Sequence, residues 1–257
     1  GLFDQDTLAL LRAEAEALEP AALAGAQRRI RALADLVRRL VDIPGNFRIR
    51  VTSIEPNHIT PPLVELMGAE KVCRHIHIPS QSGSERVLGR MNRPYGAAEL
   101  REIIDRVRAH DDSIAIGSDI IVGFPGEDEG DFADTLDLVR NAGFAYVHQF
   151  SFSPRRGTAA SAMEGRVSPE HVARRSSLLK KAALEAGLAY RRRFEGEALT
   201  SVVERNRGGG GYTALSDNYI KIDLAHTETS RALSGCLTPV RVVSVGADGA
   251  RGEIIVV

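Results

Sequence analysis

Cysteine is scarce in this chain of 257 residues: Cys73 and Cys236 are the only two, far apart in sequence. Two isolated thiols do not make the disulfide framework of a small secreted scaffold, so a cytoplasmic setting is the default expectation. No apolar run approaches the ~20 residues needed to cross a bilayer, and no signal peptide is visible, so no membrane partner is expected. There is no Walker A loop, no suggestion of a Ser-His-Asp arrangement and no paired-carboxylate site. An excess of one charge is lacking too, with 33 basic residues against 34 acidic. The chain opens on Gly1 instead of methionine, which suggests an excised fragment of a longer protein.

What is present is organised around residues 114–127, I-A-I-G-S-D-I-I-V-G-F-P-G-E. Ile120, Ile121 and Val122 form the continuous apolar run of a parallel strand buried on both faces. Gly123, Pro125 and Gly126 break it, and Phe132, Leu136 and Val139 then follow at helical spacing. Either this is a tight turn of any α/β protein, or it is a place where a ligand meets a strand's carboxyl end. Upstream, Leu8, Leu11, Ala15 and Leu18, then Ile30, Leu33, Val37 and Leu40, predict two helices ending near Pro20 and Pro44. Residues 48–52, 75–78, 114–122 and 145–150 read as four strands, with helices over 59–67, 84–91 and 96–110. Strand–helix alternation of this kind argues for parallel units with right-handed crossovers. A long basic helix follows over 169–194. Short β-patterned runs at 199–203, 219–222, 238–245 and 252–257 outline a small all-β barrel, a frequent nucleic-acid binder or else a plain supporting cap.

If the strands are parallel, the polar clusters after them share one rim. Glu55 can accept bonds from a ribose or an amino group, or cap a nearby helix. Gln81 suits a carboxylate or a base edge, or bonds its own loop. Arg90 and Arg93 can hold an anion or stay solvated. His75 and His77 lie on one strand face; no third ligand is evident, so they read as a packed or substrate-facing pair, and no metal site is predicted. Cys73 reads as buried. Between residues 155 and 193 there are ten Lys and Arg against three acids, a local excess of seven positive charges.

In order along the chain, S-I-E-P (53–56), H-I-H-I-P-S-Q-S-G-S (75–84), R-M-N-R (90–93), D-I-I-V-G-F-P-G-E (119–127) and F-S-P-R-R-G-T-A-A (152–160) resemble the radical S-adenosylmethionine methylthiotransferases. The match covers residues 28–257 and is most similar to the bacterial branch acting on threonylcarbamoyladenosine beside the tRNA anticodon. Branches acting on isopentenyladenosine or a ribosomal-protein aspartate are less close. The resemblance implies an α/β fold: an incomplete radical-SAM (β/α) half-barrel over residues 1–194, then a small all-β TRAM (OB-like) barrel over 195–257. It implies a transferase that puts a methylthio group on C2 of the adenine, with S-adenosylmethionine, two 4Fe–4S clusters and an electron donor. Ser53, Glu55, Gln81, Ser82, Arg93, Asp119, Gly123 and Phe152 would line the cofactor pocket. Arg155, Arg156, Arg174, Arg175, Arg191, Arg192, Arg193 and Lys221 would hold phosphates of a tRNA anticodon stem-loop, unless the band is a solvated helix face.

The sequence departs from the family at the cluster. Three cysteines spaced C-x-x-x-C-x-x-C are expected, with three more for an auxiliary cluster, and neither set is present. The strand count also falls short of the family's half-barrel. The expectation is a chain that is inactive alone, with the alternative of an inactive relative that only binds tRNA.

Overall fold

The computed structural model describes residues 26–206, 211–247 and 249–255. The helix expected around Leu8 to Leu18 lies outside them. Helix α1 (Ala26–Asp42) leads into an irregular stretch and the short α2 (Pro61–Val64). Then β1 (His75–Gln81), α3 (Glu85–Arg90), α4 (Ala97–His110), β2 (Ala115–Val122), α5 (Glu129–Asn141) and β3 (Tyr146–Ser151) form parallel strand–helix units, with strand order β1-β2-β3.

Residues 48–52 do not form the first of four strands. Ile49 makes one isolated parallel bridge to Val72. Ser53 then adopts a left-handed backbone (φ 55°), which breaks an extended run before a ladder can form. A backbone hydrogen bond to β1 is made at Ile54, whose N–H donates to the His77 carbonyl at 3.0 Å.

Period-two alternation divides the sheet. Ile76, Ile78, Ile116 and Ile120, all with no exposed surface, pack into the main core with Leu88, Leu100, Leu138 and Phe144. Caps set the helix starts: the Ser84 hydroxyl accepts from Val87 N–H for α3, and Asp128 and Asp131 form a reciprocal capping box for α5.

Helix α6 (Pro169–Arg192) starts at its cap Ser168 and runs to the second unit. There β4 (Ala198–Arg205), β5 (Tyr212–Ser216), β6 (Lys221–Leu224), α7 (Glu228–Ala232), β7 (Leu237–Gly246) and β8 (Gly249–Ile254) make a closed barrel of order β4-β5-β6-β8-β7. The barrel has one strand more than the sequence pattern outlined. The missed strand is β5, whose Y-T-A-L-S run is buried at four of five positions and so lacks alternation. Tyr219 lies in a turn at φ 64° instead of a strand.

Barrel and sheet share a core that includes Ala115, Ala145, Tyr190, Phe194, Val203 and Ile222. Arg74 pairs with Asp217 through Nε–Oδ2 at 2.9 Å and NH2–Oδ1 at 3.2 Å. The Tyr190 hydroxyl of α6 donates to the Ser113 carbonyl at 2.8 Å and lies 3.4 Å from the Asn218 carbonyl. Among the described residues no helix is long and apolar enough to cross a membrane.

Tyr190→Phe keeps the ring and removes the hydroxyl that joins helix, sheet and barrel. Leaving the Ser113 carbonyl without this donor should cost about 1–2 kcal/mol in urea unfolding, with an unchanged denaturant slope.

Candidate functional site

The sheet face opposite the main core is polar. His75 and His77 of β1, Asp119 of β2, and Tyr146 and His148 of β3 project from it, in the register His77↔Gly117↔Tyr146 and Asp119↔His148. Gly117 is what lets them assemble. A Cβ there would sit 2.0 Å from the Tyr146 ring, so only glycine lets that ring lie across β2. The ring is nearly parallel to those of His75 and His77, with centroids 6.0 Å away in each case. Asp119 Oδ1 is 3.2 Å from both His77 Nε2 and His148 Nδ1. The Ser53 hydroxyl lies 3.5 Å from His77 Nδ1.

From the barrel, Tyr219 covers one end of this face, its ring centroid 4.4 Å from His75 and 5.1 Å from Tyr146. The Arg50 guanidinium lies 4.9 Å over the Tyr219 ring and donates to the carbonyls of Ser216 and Asp217. His75 Nε2 is 2.9 Å from the Tyr146 hydroxyl. Burial first, then the nearby Arg50 charge, pushes the His75 imidazole down to about 3, so it is neutral at neutral pH.

Because the strands are parallel, Gln81, Gly123 and Phe152 leave the same carboxyl edge. Gln81 takes φ 64° there. Phe152 meets Phe124 edge-on at 5.3 Å. Glu55 pairs with Arg93 at 2.9 Å, while Glu55 Oε2 and Arg93 Nε are buried without a protein partner. Arg90, the other candidate anion holder, donates to the Pro125 carbonyl.

Two of the expected pocket residues make close packing contacts within the protein. Ser82 is fully buried, and its hydroxyl shares a 3.1 Å hydrogen bond with that of Thr135. The glycine beside it, Gly83, allows α5 this close, since a Cβ would meet the Asp134 carbonyl at 2.6 Å. Gly123 (φ 78°) makes room for α6, because its Cβ would be 2.5 Å from Val172.

The basic band divides in the same way. Arg175 does not face solvent: it is 2% exposed and binds Glu127 Oε1 at 2.6 Å and Glu129 Oε1 at 2.7 Å. Burial raises the Glu127 carboxyl above its usual range despite the Gly123 N–H and Arg175. Arg174 pairs with Glu129 and Arg193 with Asp112, both at the surface. Arg191 is half-buried, which lowers its pKa. Arg155, Arg156, Arg192 and Lys221 are exposed, with no ion pair among the described residues.

Sequence reasoning missed His148, Tyr146 and Tyr219. The spacing Y-x-H in β3 repeats the H-x-H of β1, but only the adjacency of these strands to β2 gives it meaning.

Residues 10–139 match the family described as the Radical SAM superfamily. The threonylcarbamoyladenosine tRNA methylthiotransferase MtaB of Thermotoga maritima is 34% identical over 226 residues, covering 86% of this chain and 52% of that protein. A tRNA-2-methylthio-N(6)-dimethylallyladenosine synthase of Parafrankia sp. is 43% identical over 178 residues, covering 69% of this chain and 36% of that one. Among solved structures, coproporphyrinogen III oxidase from Escherichia coli aligns with TM-score 0.47 at 18% identity, covering 73% of this chain and 50% of that one. The chain thus spans about half the length, or less, of the curated relatives it matches.

The buried ion pair and the buried neutral imidazole yield separate expectations. Arg175→Met strands Glu127 without its cation and should cost about 3–5 kcal/mol in chemical denaturation. His75, with an ordinary value of 6.5 and a folded value of about 3, takes up its proton far more readily unfolded. Its contribution is therefore complete above about pH 6.5 and drains as pH falls toward 3, by at most about 1.4 kcal/mol per pH unit. Urea midpoints taken between about pH 7 and pH 5 should fall, and His75→Gln should flatten that fall.

Proposed function

Because the chain belongs to the radical SAM superfamily and, within it, to the tRNA methylthiotransferases, we propose that it is a portion of an enzyme that inserts a methylthio group at C2 of N6-threonylcarbamoyladenosine next to the anticodon. The observation that carries this reading is the meeting of two surfaces: Tyr219, in a turn of a closed β-barrel, packs at a tilt against His75 and Tyr146 of the polar face of the parallel sheet. The barrel meets this face where β1 and β3 begin, so a nucleic acid held on it would have to run along the face to reach the pocket at the carboxyl edge. In this reading residues 1–194 are a partial radical SAM half-barrel and residues 195–257 a TRAM domain.

S-adenosylmethionine, when bound, supplies both a radical and a methyl group. The Glu55–Arg93 pair fits such a ligand, since one buried atom on each side chain lacks a protein partner and is free to meet ribose hydroxyls or the amino-acid end. Ser53, Gln81, Asp119 and Phe152 complete the proposed contacts. Ser82 and Gly123 act behind them as supports. The residues of this chain do not fit an iron–sulfur cluster. Two cysteines cannot supply three thiolates, and burial pushes the Cys73 thiol up, away from the thiolate form a ligand needs. Ligation of both 4Fe–4S clusters is assigned to the half of the relatives that this chain does not span, and reducing equivalents to a separate electron donor.

A second reading, dimethylallyladenosine as substrate, is favoured by the higher identity to the Parafrankia synthase over its shorter alignment. Nucleoside analysis of tRNA from a strain lacking the gene separates the two: loss of the methylthio form of threonylcarbamoyladenosine supports the first, loss of the dimethylallyl form the second, and an unchanged pool removes both.

The free cations give a direct binding test. An anticodon stem-loop RNA should bind this chain with salt-dependent affinity. The double variant R155A/R156A should weaken binding and reduce the slope of log K against log salt by about 1 per arginine. Equal slopes would exclude these residues from the interface.

A further inference from the structure

Asp119, one of the proposed cofactor contacts, stands on the central strand between two imidazoles brought from opposite neighbours, and neither imidazole has a part in the proposed tRNA chemistry. We propose that His77, Asp119 and His148 form a mononuclear binding site for a first-row divalent cation of the Zn2+ or Co2+ type. Their ligand atoms lie within 4.8 Å of one another. Two of the three separations, His77 Nε2 to Asp119 Oδ1 and His148 Nδ1 to Asp119 Oδ1, are 3.2 Å. A tetrahedral ion with bonds of ~2.0–2.2 Å places its ligand atoms about 3.3–3.6 Å apart. Those two edges therefore already have nearly the length a metal needs. The third is within reach of the His148 side chain, which is 58% exposed and has room to turn.

The surroundings favour the same assignment. The His77 nitrogen that faces away from Asp119 lies 3.5 Å from the Ser53 hydroxyl, the kind of outer partner that fixes which nitrogen is offered to a metal. Nearby Arg50 is engaged by the Tyr219 ring and two barrel carbonyls on the His75 side of the face. Two imidazoles and one carboxylate select borderline transition ions over Mg2+ or Ca2+, which prefer all-oxygen sites. Three protein ligands on an open sheet face leave at least one position for water or a substrate oxygen, the pattern of a reactive site and not of a closed structural one. The competing account is a carboxylate that accepts a hydrogen bond from each imidazole with no metal at all.

Titration of the purified chain with Co2+, read by visible d–d absorption and reversed by Zn2+, distinguishes the two. One Co2+ per chain is expected. His148→Ala and Asp119→Asn should each weaken it by more than the roughly 10–100-fold typical of losing an outer partner. His171→Ala, an exposed histidine at the start of α6, should leave binding unchanged, as should Cys236→Ser. Zn2+ should raise the thermal midpoint of the parent and of His171→Ala but not of His148→Ala. Because the His148 side chain is largely exposed, the metal-free His148→Ala variant should keep the parent's circular dichroism and midpoint. Absence of Co2+ binding, or binding undiminished by His148→Ala, would overturn the site and leave a hydrogen-bonded trio. Either result is independent of whether tRNA is the substrate.

Discussion

A guanidinium held out of water between two carboxylates governs the relation between the strand-end loop and the rest of the molecule. Taking Arg175 out of solvent is costly, and its attraction to Glu127 and Glu129 offsets this only while the geometry is kept. Glu127 in turn accepts the Gly123 N–H at 3.1 Å, and Arg175 also donates to the Glu127 carbonyl. The turn after β2 therefore cannot move independently of α6. At the other end of that helix, Tyr190 and Phe194 enter the core shared with the barrel. One buried ion pair thus registers loop, helix and barrel against one another.

Much of the α/β part was legible because its signals are local. The apolar run 120–122 and the helical spacing of Phe132, Leu136 and Val139 each act over a few residues, and the strand and the helix they mark formed where expected. The strand over 48–52 failed because a single backbone angle at Ser53 decided it, and serine carries no strong sign of a left-handed conformation. In the barrel, β5 escaped notice because burial on both sides erases the alternation that marks a half-exposed strand.

The site was legible in its members more than in its arrangement. Glu55 and Arg93 were named separately, and the structure pairs them. His77 was read with His75, its neighbour on the same strand, whereas its closest polar partner is Asp119 on the next. Charge counting over 155–193 treated each arginine alike, yet Arg175 is consumed internally while Arg155 and Arg156 are not. Strand adjacency and burial, both products of the whole fold, make these distinctions, and no local window contains them.

Tyr219 rests on His75 and Tyr146, and the turn that carries it is clamped by Arg50 and Arg74. The barrel is consequently no tethered appendage with freedom to search. It stands at a set height above the polar face, so a polymer held there, as proposed above, would be measured off along its own length, as by a ruler.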